Sequence, residues 1–452
     1  MKASRFNVIQ KTPDIAYAFN SFTSALAKVN DDFFSLLDYI DSGKDETKLP
    51  EKDVALLENM KYAGFVIDDS LDEIGRLAEI QQKQRTNTDN LNLTIAPTLD
   101  CNFGCPYCFE TAKHGIMQEN VQQAILDFIK NQIEHLQPKK ISITWYGGEP
   151  LLAKDIVVSM SRKINALAKA HSIISGFNII TNGYLIDEAI ADQLFECGVR
   201  MAQITIDGCE ERHNQRRFLK SNPEEGTYGQ ILRGINLFAQ RGIKVSIRMN
   251  VDRENMGDIG TFVRVMNATI TNTNNINIYL GRVFDFNSNE RCFERNNCVS
   301  TEQFSDCKIE ALKLFKDLGL SASFKEKYPL LKKNECCATS NNSFVINPDG
   351  KIHRCWNDIS IDSLSIGTIF NPLDCNSEIF RKWSDCSSVL TNEECVVCEV
   401  LPICMGGCPR ERVYRGRKDS CTEMKYHINR LITFFAQEKE LFEKEVSHGT
   451  HH

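Results

Sequence analysis

The sequence predicts an α/β chain built on a parallel sheet of six strand–helix units, curved into a partial or complete barrel. Three observations carry that reading. From residue 91 to 320, short apolar runs alternate with longer amphipathic stretches, the pattern of parallel strands joined by crossover helices. The chain has 452 residues, enough to bury large cores without covalent staples. It also has 18 cysteines, gathered into clusters after one strand and near the C-terminus.

The first ninety residues read as a separate small unit. Runs at 4–10 and 16–22 flank the turn-like Thr12-Pro13-Asp14, the pattern of a hairpin. Helical periodicity follows at 31–40, with Phe33, Phe34, Leu36, Leu37 and Ile40 on one face, and at 51–62 after Pro50. A short strand at 65–67 and a third helix at 71–81 lead into a polar linker, 82–90. Strand-like runs then lie at 91–98, 141–145, 177–180, 202–206, 245–251 and 276–283. Helices are expected between them at 121–136, 156–168, 188–197 and 230–240, with a last one at 301–318. In such folds the chemistry sits at the C-terminal ends of the strands. Beyond residue 320 the alternation stops, and 336–421 holds 10 of the 18 cysteines. A final amphipathic helix is expected at 422–446, and 449–452 reads as a tag remnant. The expected domains are therefore 1–90, 91–320 and 321–448.

Charge and hydropathy narrow the function classes. Lys+Arg 53 against Asp+Glu 60 gives a net charge of −7, which disfavours a nucleic-acid partner. No apolar run is long enough to span a membrane. The N-terminal residues lack a signal-peptide core. A cytoplasmic location is expected, where thiols stay reduced and a cysteine excess points to metal or redox chemistry.

Directly after the first barrel strand stands Cys101-Asn-Phe-Gly-Cys105-Pro-Tyr-Cys108. Three thiolates on one tight loop can bind three irons of a [4Fe–4S] cluster and leave the fourth iron open to a small molecule. The alternative is zinc, which in a structural site wants four ligands; His114 is the nearest further candidate, at the wrong spacing. This loop resembles the signature of the radical S-adenosylmethionine superfamily. Gly147-Gly148-Glu149-Pro150 resembles its GGEP motif, and Thr181-Asn182-Gly183 its TNG. Thr205-Ile-Asp207-Gly208 resembles SxDG, and His213-Asn214-Gln-Arg-Arg217 resembles HDxxR, with Asn214 where the family often has Asp.

The resemblance implies that the backbone of Gly147 and Gly148 and the Glu149 carboxylate hold the cofactor's amino group, and that Arg217 pairs with its carboxylate. Tyr107 would pack beside the adenine, and Arg248 and Asn250 would contact ribose or carboxylate. Thr181, Asn182, Thr205 and Asp207 complete the expected cofactor set. The implied chemistry is reductive cleavage of S-adenosylmethionine to a 5′-deoxyadenosyl radical that takes hydrogen from carbon. The electron would come from a reductant such as flavodoxin or ferredoxin, and oxygen would have to be scarce.

Near the C-terminus the order Cys337, Gly350, Cys355, Cys395, Cys398, Cys404, Cys408, Cys421 resembles the SPASM extension of radical enzymes that modify peptides. That resemblance implies two auxiliary [4Fe–4S] clusters, three clusters in all. Cys337, Cys355 and Cys408 would hold the first, and Cys395, Cys398, Cys404 and Cys421 the second. The first lacks a settled fourth ligand: either Cys336 supplies it or the iron is open. A zinc-ribbon pair is the alternative for the same spacing. Gly350, in Asn347-Pro-Asp-Gly350, reads as a hairpin tip. Cys197, Cys209, Cys292, Cys298, Cys307, Cys375 and Cys386 show no ligand rhythm. Among them Cys209, at a strand end, is the candidate for lining the active site.

The N-terminal unit resembles the winged-helix element that binds the leader of a precursor peptide by adding it as a strand. The combination points to a maturase of ribosomally made peptides. The leading chemistry is a thioether from a cysteine sulfur to carbon, with an auxiliary cluster accepting the electron. Carbon–carbon cyclisation and sulfatase maturation to formylglycine are the alternatives. The contrasting class is a non-enzymatic electron-transfer or zinc-binding scaffold.

Overall fold

The computed structural model describes residues 1–110, 115–284, 297–320, 327–371, 377–384, 389–415 and 421–448, with backbone alone at 273 and 439–448. His114, Cys292, Cys375, Cys386 and the stretch 449–452, singled out above, lie outside the described residues. No helix among the described residues is long and apolar enough to cross a membrane.

The N-terminal segment opens with β1 (Lys2–Ala3), then a meander of β2 (Asn7–Lys11), β3 (Ala16–Asn20) and β4 (Ala25–Val29). The expected hairpin is thus present, its strands antiparallel with Val8 opposite Phe19. The third strand had no sequence signal, because Ala25-Leu-Ala-Lys-Val29 carries only one β-branched residue. Helices α1 (Asp31–Asp41) and α2 (Glu51–Ala63), β5 (Val66–Ile67) and α3 (Glu73–Arg85) follow. Asn30 caps α1 through Phe33 N–H, and Gly64 ends α2 in the left-handed region that glycine tolerates.

The next elements alternate as expected: β6 (Asn90–Ile95), α4 (Glu119–Leu136), β7 (Lys140–Trp145), α5 (Lys154–Ala170), β8 (Ile174–Thr181), α6 (Glu188–Glu196) and β9 (Val199–Thr205). They continue through α7 (Glu210–Arg216), α8 (Tyr228–Gln240), β10 (Lys244–Val251), α9 (Ile259–Thr269), β11 (Ile276–Arg282) and α10 (Thr301–Asp317). Strands β6 to β11 pair in parallel, each with the next in sequence. β11 is an edge and does not return to β6, so the barrel is partial. Ile95, Ile141, Ile143, Trp145, Ile179, Ile204 and Ile247 are fully buried between this sheet and its helices.

The sheet extends beyond its first barrel strand, β6, in an unexpected way. β12 (Ser343–Ile346) pairs in parallel with β6, β13 (Lys351–His353) folds back on it, and β14 (Gly367–Thr368) adds the outer edge. Gly350, at φ +79°, is the hairpin tip between β12 and β13. The remaining helices are α11 (Glu378–Ser384), α12 (Glu393–Val396), α13 (Leu401–Cys404), α14 (Pro409–Arg415) and α15 (Met424–His448).

Two compact units result. One comprises Arg85–Glu326 and Cys337–Ser384, the barrel with its added strands. The other joins Met1–Gln84 to Lys327–Cys336 and Asp385–His452. In this second unit β3 is buried on both faces. Ala18 packs with Phe33, Leu36 and Leu57, while Tyr17 and Phe19 pack with Ile403, Ile428 and Ile432.

Candidate active site

Three cysteines of the barrel unit, Cys101, Cys105 and Cys108, line one wall of a cavity of about 190 Å³ at the C-terminal ends of the strands. Their loop is pinned by neighbouring backbone. Gly104 N–H donates to the Phe218 carbonyl at 3.0 Å, and Lys220 N–H to the Asn102 carbonyl at 2.9 Å. A Cβ on Gly104 would stand 2.5 Å from the Phe218 ring, so this turn needs glycine. The Asn182 amide donates to Asn102 Oδ1 at 2.7 Å and ties the loop to the end of β8. Burial, reinforced by the Glu149 carboxylate, pushes the Cys101 thiol up to about 12. Burial, with Glu110 next, pushes Cys108 to about 12 as well.

The two glycines after β7 serve the protein's own packing. A Cβ on Gly147 would lie 2.2 Å from the Thr98 carbonyl oxygen, and one on Gly148 would lie 2.3 Å from that of Asp100. These are backbone contacts that no rotamer relieves, and Gly147 also sits at φ +114°. Glu149 is fully buried and lies behind the cavity wall. Its Oε1 accepts from Leu151 N–H at 3.0 Å and Thr181 Oγ1 at 2.7 Å, and its Oε2 from Asn182 N–H at 2.7 Å. Glu149 thereby locks the end of β7 to that of β8, and burial raises its pKa against these three donors.

Tyr107, on the cysteine loop, is the hub of a second cluster of the lining. Its hydroxyl donates to Asp207 Oδ2 and accepts from Arg217 at 2.8 Å and the Asn250 amide at 3.3 Å. Asp207 also accepts from Asn250 N–H at 2.9 Å, joining β9 to β10. His213 Nδ1 accepts from Asp207 N–H at 3.2 Å. Because Thr227 Oγ1 donates to the Arg217 carbonyl at 2.7 Å, His213 Nε2 carries the proton and donates to Thr227 at 3.2 Å. Burial, and then Arg217 and Arg216, hold His213 well below its ordinary pKa, so it is neutral. Asn214 accepts from Thr227 N–H at 2.9 Å and Tyr228 N–H at 3.0 Å, capping α8. An aspartate would do the same, which gives this departure from HDxxR a structural meaning.

Arg248 passes over Gly281, where a Cβ would stand 2.4 Å from its Nε. The buried Nε atoms of Arg217 and Arg248 have no acceptor among the described residues, and both side chains line the cavity. A cavity with two such guanidinium groups and three thiols fits a carboxylate-bearing cofactor beside an iron–sulfur cluster. Of the expected cofactor residues, Tyr107, Gly147, Gly148, Thr181, Asn182, Thr205, Arg217, Arg248 and Asn250 line this cavity, and Glu149 and Asp207 brace it from behind. Cys209 is not in the lining.

Several site residues escaped the sequence reading. Glu110 lines the cavity, and burial pushes its carboxyl up to about 7 against a hydrogen bond from Tyr146. Arg216 pairs with Asp252 at 2.7 Å and packs over the Tyr107 ring at 5.2 Å. Both neighbour motif positions, Glu110 two residues after Cys108 and Arg216 beside Arg217. That adjacency was the only available signal.

In the other unit, Cys395, Cys398, Cys404 and Cys421 line a single small cavity. Cys408 lies close enough to Cys336 for their charges to interact, though burial is the main cause of its raised pKa. Cys337 and Cys355 belong to the barrel unit. There Arg354, next to Cys355, donates to the carbonyls of Ala338 at 3.0 Å and Ser340 at 2.6 Å, fastening the segment after Cys337 to the end of β13. No group of three or more His, Cys, Asp or Glu among the described residues is drawn in to single-ion spacing.

Comparison with known proteins agrees with this geometry. Residues 95–266 match the radical SAM superfamily model. The cysteine-type anaerobic sulfatase-maturating enzyme of Clostridium perfringens is 24% identical over 390 residues, covering 76% of this chain and 95% of that enzyme. The radical SAM cyclopropyl synthase TigE of Paramaledivibacter caminithermalis is 20% identical over 487 residues, covering 97% and 96%. Among solved structures, native anSMEcpe with bound AdoMet and Cp18Cys peptide superposes with TM-score 0.59 at 20% identity, over 76% of this chain and 98% of that one. Streptococcus suis SuiB bound to precursor peptide SuiA gives TM-score 0.52 at 13% identity, over 93% and 98%. These structures share the fold. With the motif residues gathered around one cavity and the superfamily model matching the strands that carry them, residues 95–266 form a radical SAM domain.

Proposed function

We propose that the enzyme matures a ribosomally made precursor peptide, forming Cys thioether cross-links. The carrying observation is the cavity at the strand ends, where the three-cysteine loop faces Arg217 and Arg248. When bound, a [4Fe–4S] cluster and S-adenosylmethionine supply a 5′-deoxyadenosyl radical able to take hydrogen from a peptide carbon. Cys101, Cys105 and Cys108 would hold that cluster. Arg217 and Arg248 would orient the cofactor's carboxylate, and the glycine-backed wall at 147–148 would seat its amino group. Tyr107 and Asn250, fixed by Asp207, would keep the remaining wall rigid.

Several observations support a peptide substrate. The curated relatives include a sulfatase-maturating enzyme and a PqqA peptide cyclase, and SuiB was solved with a precursor peptide. The alignments to TigE and SuiB run through the N-terminal segment as well, which we assign to leader recognition. Cys395, Cys398, Cys404 and Cys421, and separately Cys337, Cys355 and Cys408, would hold two auxiliary clusters. One of these would take the electron released on thioether formation, and flavodoxin or ferredoxin would supply the priming electron. Sulfatase maturation is the second reading, favoured by the 24% identity over 390 residues.

The test is anaerobic incubation of the reconstituted enzyme with a Cys-bearing candidate precursor peptide, with and without its leader. Thioether formation predicts loss of two hydrogens per link and of one free thiol, strongly dependent on the leader. A cysteine converted to an aldehyde-bearing residue would select the second reading. An unmodified peptide would count against both. The leader is removed from the peptide because residues 1–84 cannot be cut from the enzyme without exposing Ile403, Ile428 and Ile432. Each such side chain is worth roughly 1.5–3 kcal/mol of burial.

A further inference from the structure

We propose that Lys425 and Thr422 are positioning residues that raise the reduction potential of the cluster held by Cys395, Cys398, Cys404 and Cys421. The inference rests on the auxiliary-cluster reading of those four cysteines.

The four sulfurs come from three short elements: Cys395 in α12 with Cys398 just beyond it, Cys404 at the end of α13, and Cys421 in the turn leading into α15. All line one cavity, and Lys425 is the cation in its wall. Thr422 Oγ1 donates to Cys404 Sγ at 3.3 Å. The Lys425 ammonium acts electrostatically on Cys421 first and on Cys398 as well. Cys398 also accepts from the Val400 backbone N–H. The turn is held in register by Lys425 N–H donating to the Thr422 carbonyl at 3.2 Å. Two polar side chains from one four-residue stretch therefore act on two different cysteines. Glu394 is the acidic residue in the same wall.

Reduction of an iron–sulfur cluster adds one electron and one negative charge. Hydrogen bonds to ligand sulfur and a nearby cation stabilise that extra charge, and so raise the potential. At the barrel loop the balance differs. Cys101 has a backbone donor, Phe103 N–H at 3.4 Å, the neighbouring Glu149 carboxylate opposes negative charge on its sulfur, and Arg217 favours it. Lys425 and Thr422 thus favour acceptance of an electron at the C-terminal site.

The test is an EPR-monitored redox titration of the reconstituted full-length protein. A Cys395→Ala, Cys398→Ala double variant identifies this site's signal and should lower iron by about four per chain. Lys425→Met is expected to shift the reduction equilibrium toward the oxidised form at least tenfold, about 59 mV for a one-electron couple. Lys425→Arg should restore the wild-type midpoint. Thr422→Val should move it in the same direction as Lys425→Met by a smaller step, and decides the matter if Lys425→Met loses its iron. An unchanged midpoint with the cluster in place overturns the inference and leaves the auxiliary-cluster reading standing. Unchanged iron in the double cysteine variant overturns that reading and the inference with it.

Discussion

Glu110 illustrates how the cavity sets residue chemistry. Its carboxyl is pushed up to about 7, chiefly by burial, from an unperturbed value of 4.5. The folded chain therefore binds this proton more tightly than the unfolded chain, and stability falls as pH rises from about 4.5 to about 7. Glu110→Gln should remove that slope. Chemical denaturation at pH 5 and pH 8 should show the variant gaining on the order of 1 kcal/mol over wild type at the higher pH only. An equal change at both pH values would mean that Glu110 is not a buried, proton-binding carboxyl. The residue motifs themselves were legible in sequence, but their physical reasons were not all the expected ones. Gly147 and Gly148 were read as presenting backbone to a cofactor's amino group; their missing Cβ atoms also make room for the backbone of Thr98 and Asp100. Nothing local to the GGEP motif states which distant backbone will cross it.

At the scale of elements, the barrel strands were readable because each sets a buried apolar residue at every second position, between stretches of helical period. β4 was missed, since alanine and lysine give a weak strand signal, and β12 was read only as one arm of a hairpin. Its parallel pairing with β6 joins residues about 250 apart in sequence, a distance at which periodicity is silent. Helix α8 lacks a side-chain cap from its own N-cap residue, Thr227. Asn214, in the previous helix, supplies the oxygen. Asn214→Ala should destabilise the barrel unit by about 1 kcal/mol, while Asn214→Asp should stay within a few tenths of wild type. Thermal or urea unfolding of the two variants checks the pair. Equal losses would assign Asn214 a role other than capping.

At the scale of the whole molecule, the cysteine spacings state the chemistry better than they state the architecture. The 18 cysteines were read as a demand for iron. The quartet at 395, 398, 404 and 421 does converge on one cavity, as the trio at 101, 105 and 108 does on another. The grouping of the chain was less legible. Residues 337–384 cluster with the barrel, and 385–452 cluster with the N-terminal segment through Tyr17, Phe19, Ile428 and Ile432. Such long-range hydrophobic partnerships leave no local mark in a sequence. The central claim is that Cys101, Cys105 and Cys108, facing Arg217 and Arg248, form the seat of radical generation from S-adenosylmethionine. Its most direct test is 5′-deoxyadenosine formation by anaerobically reconstituted protein with dithionite and S-adenosylmethionine. The account predicts product from the wild-type chain and none from Cys105→Ala. No product from wild type, or equal amounts from both, would contradict it.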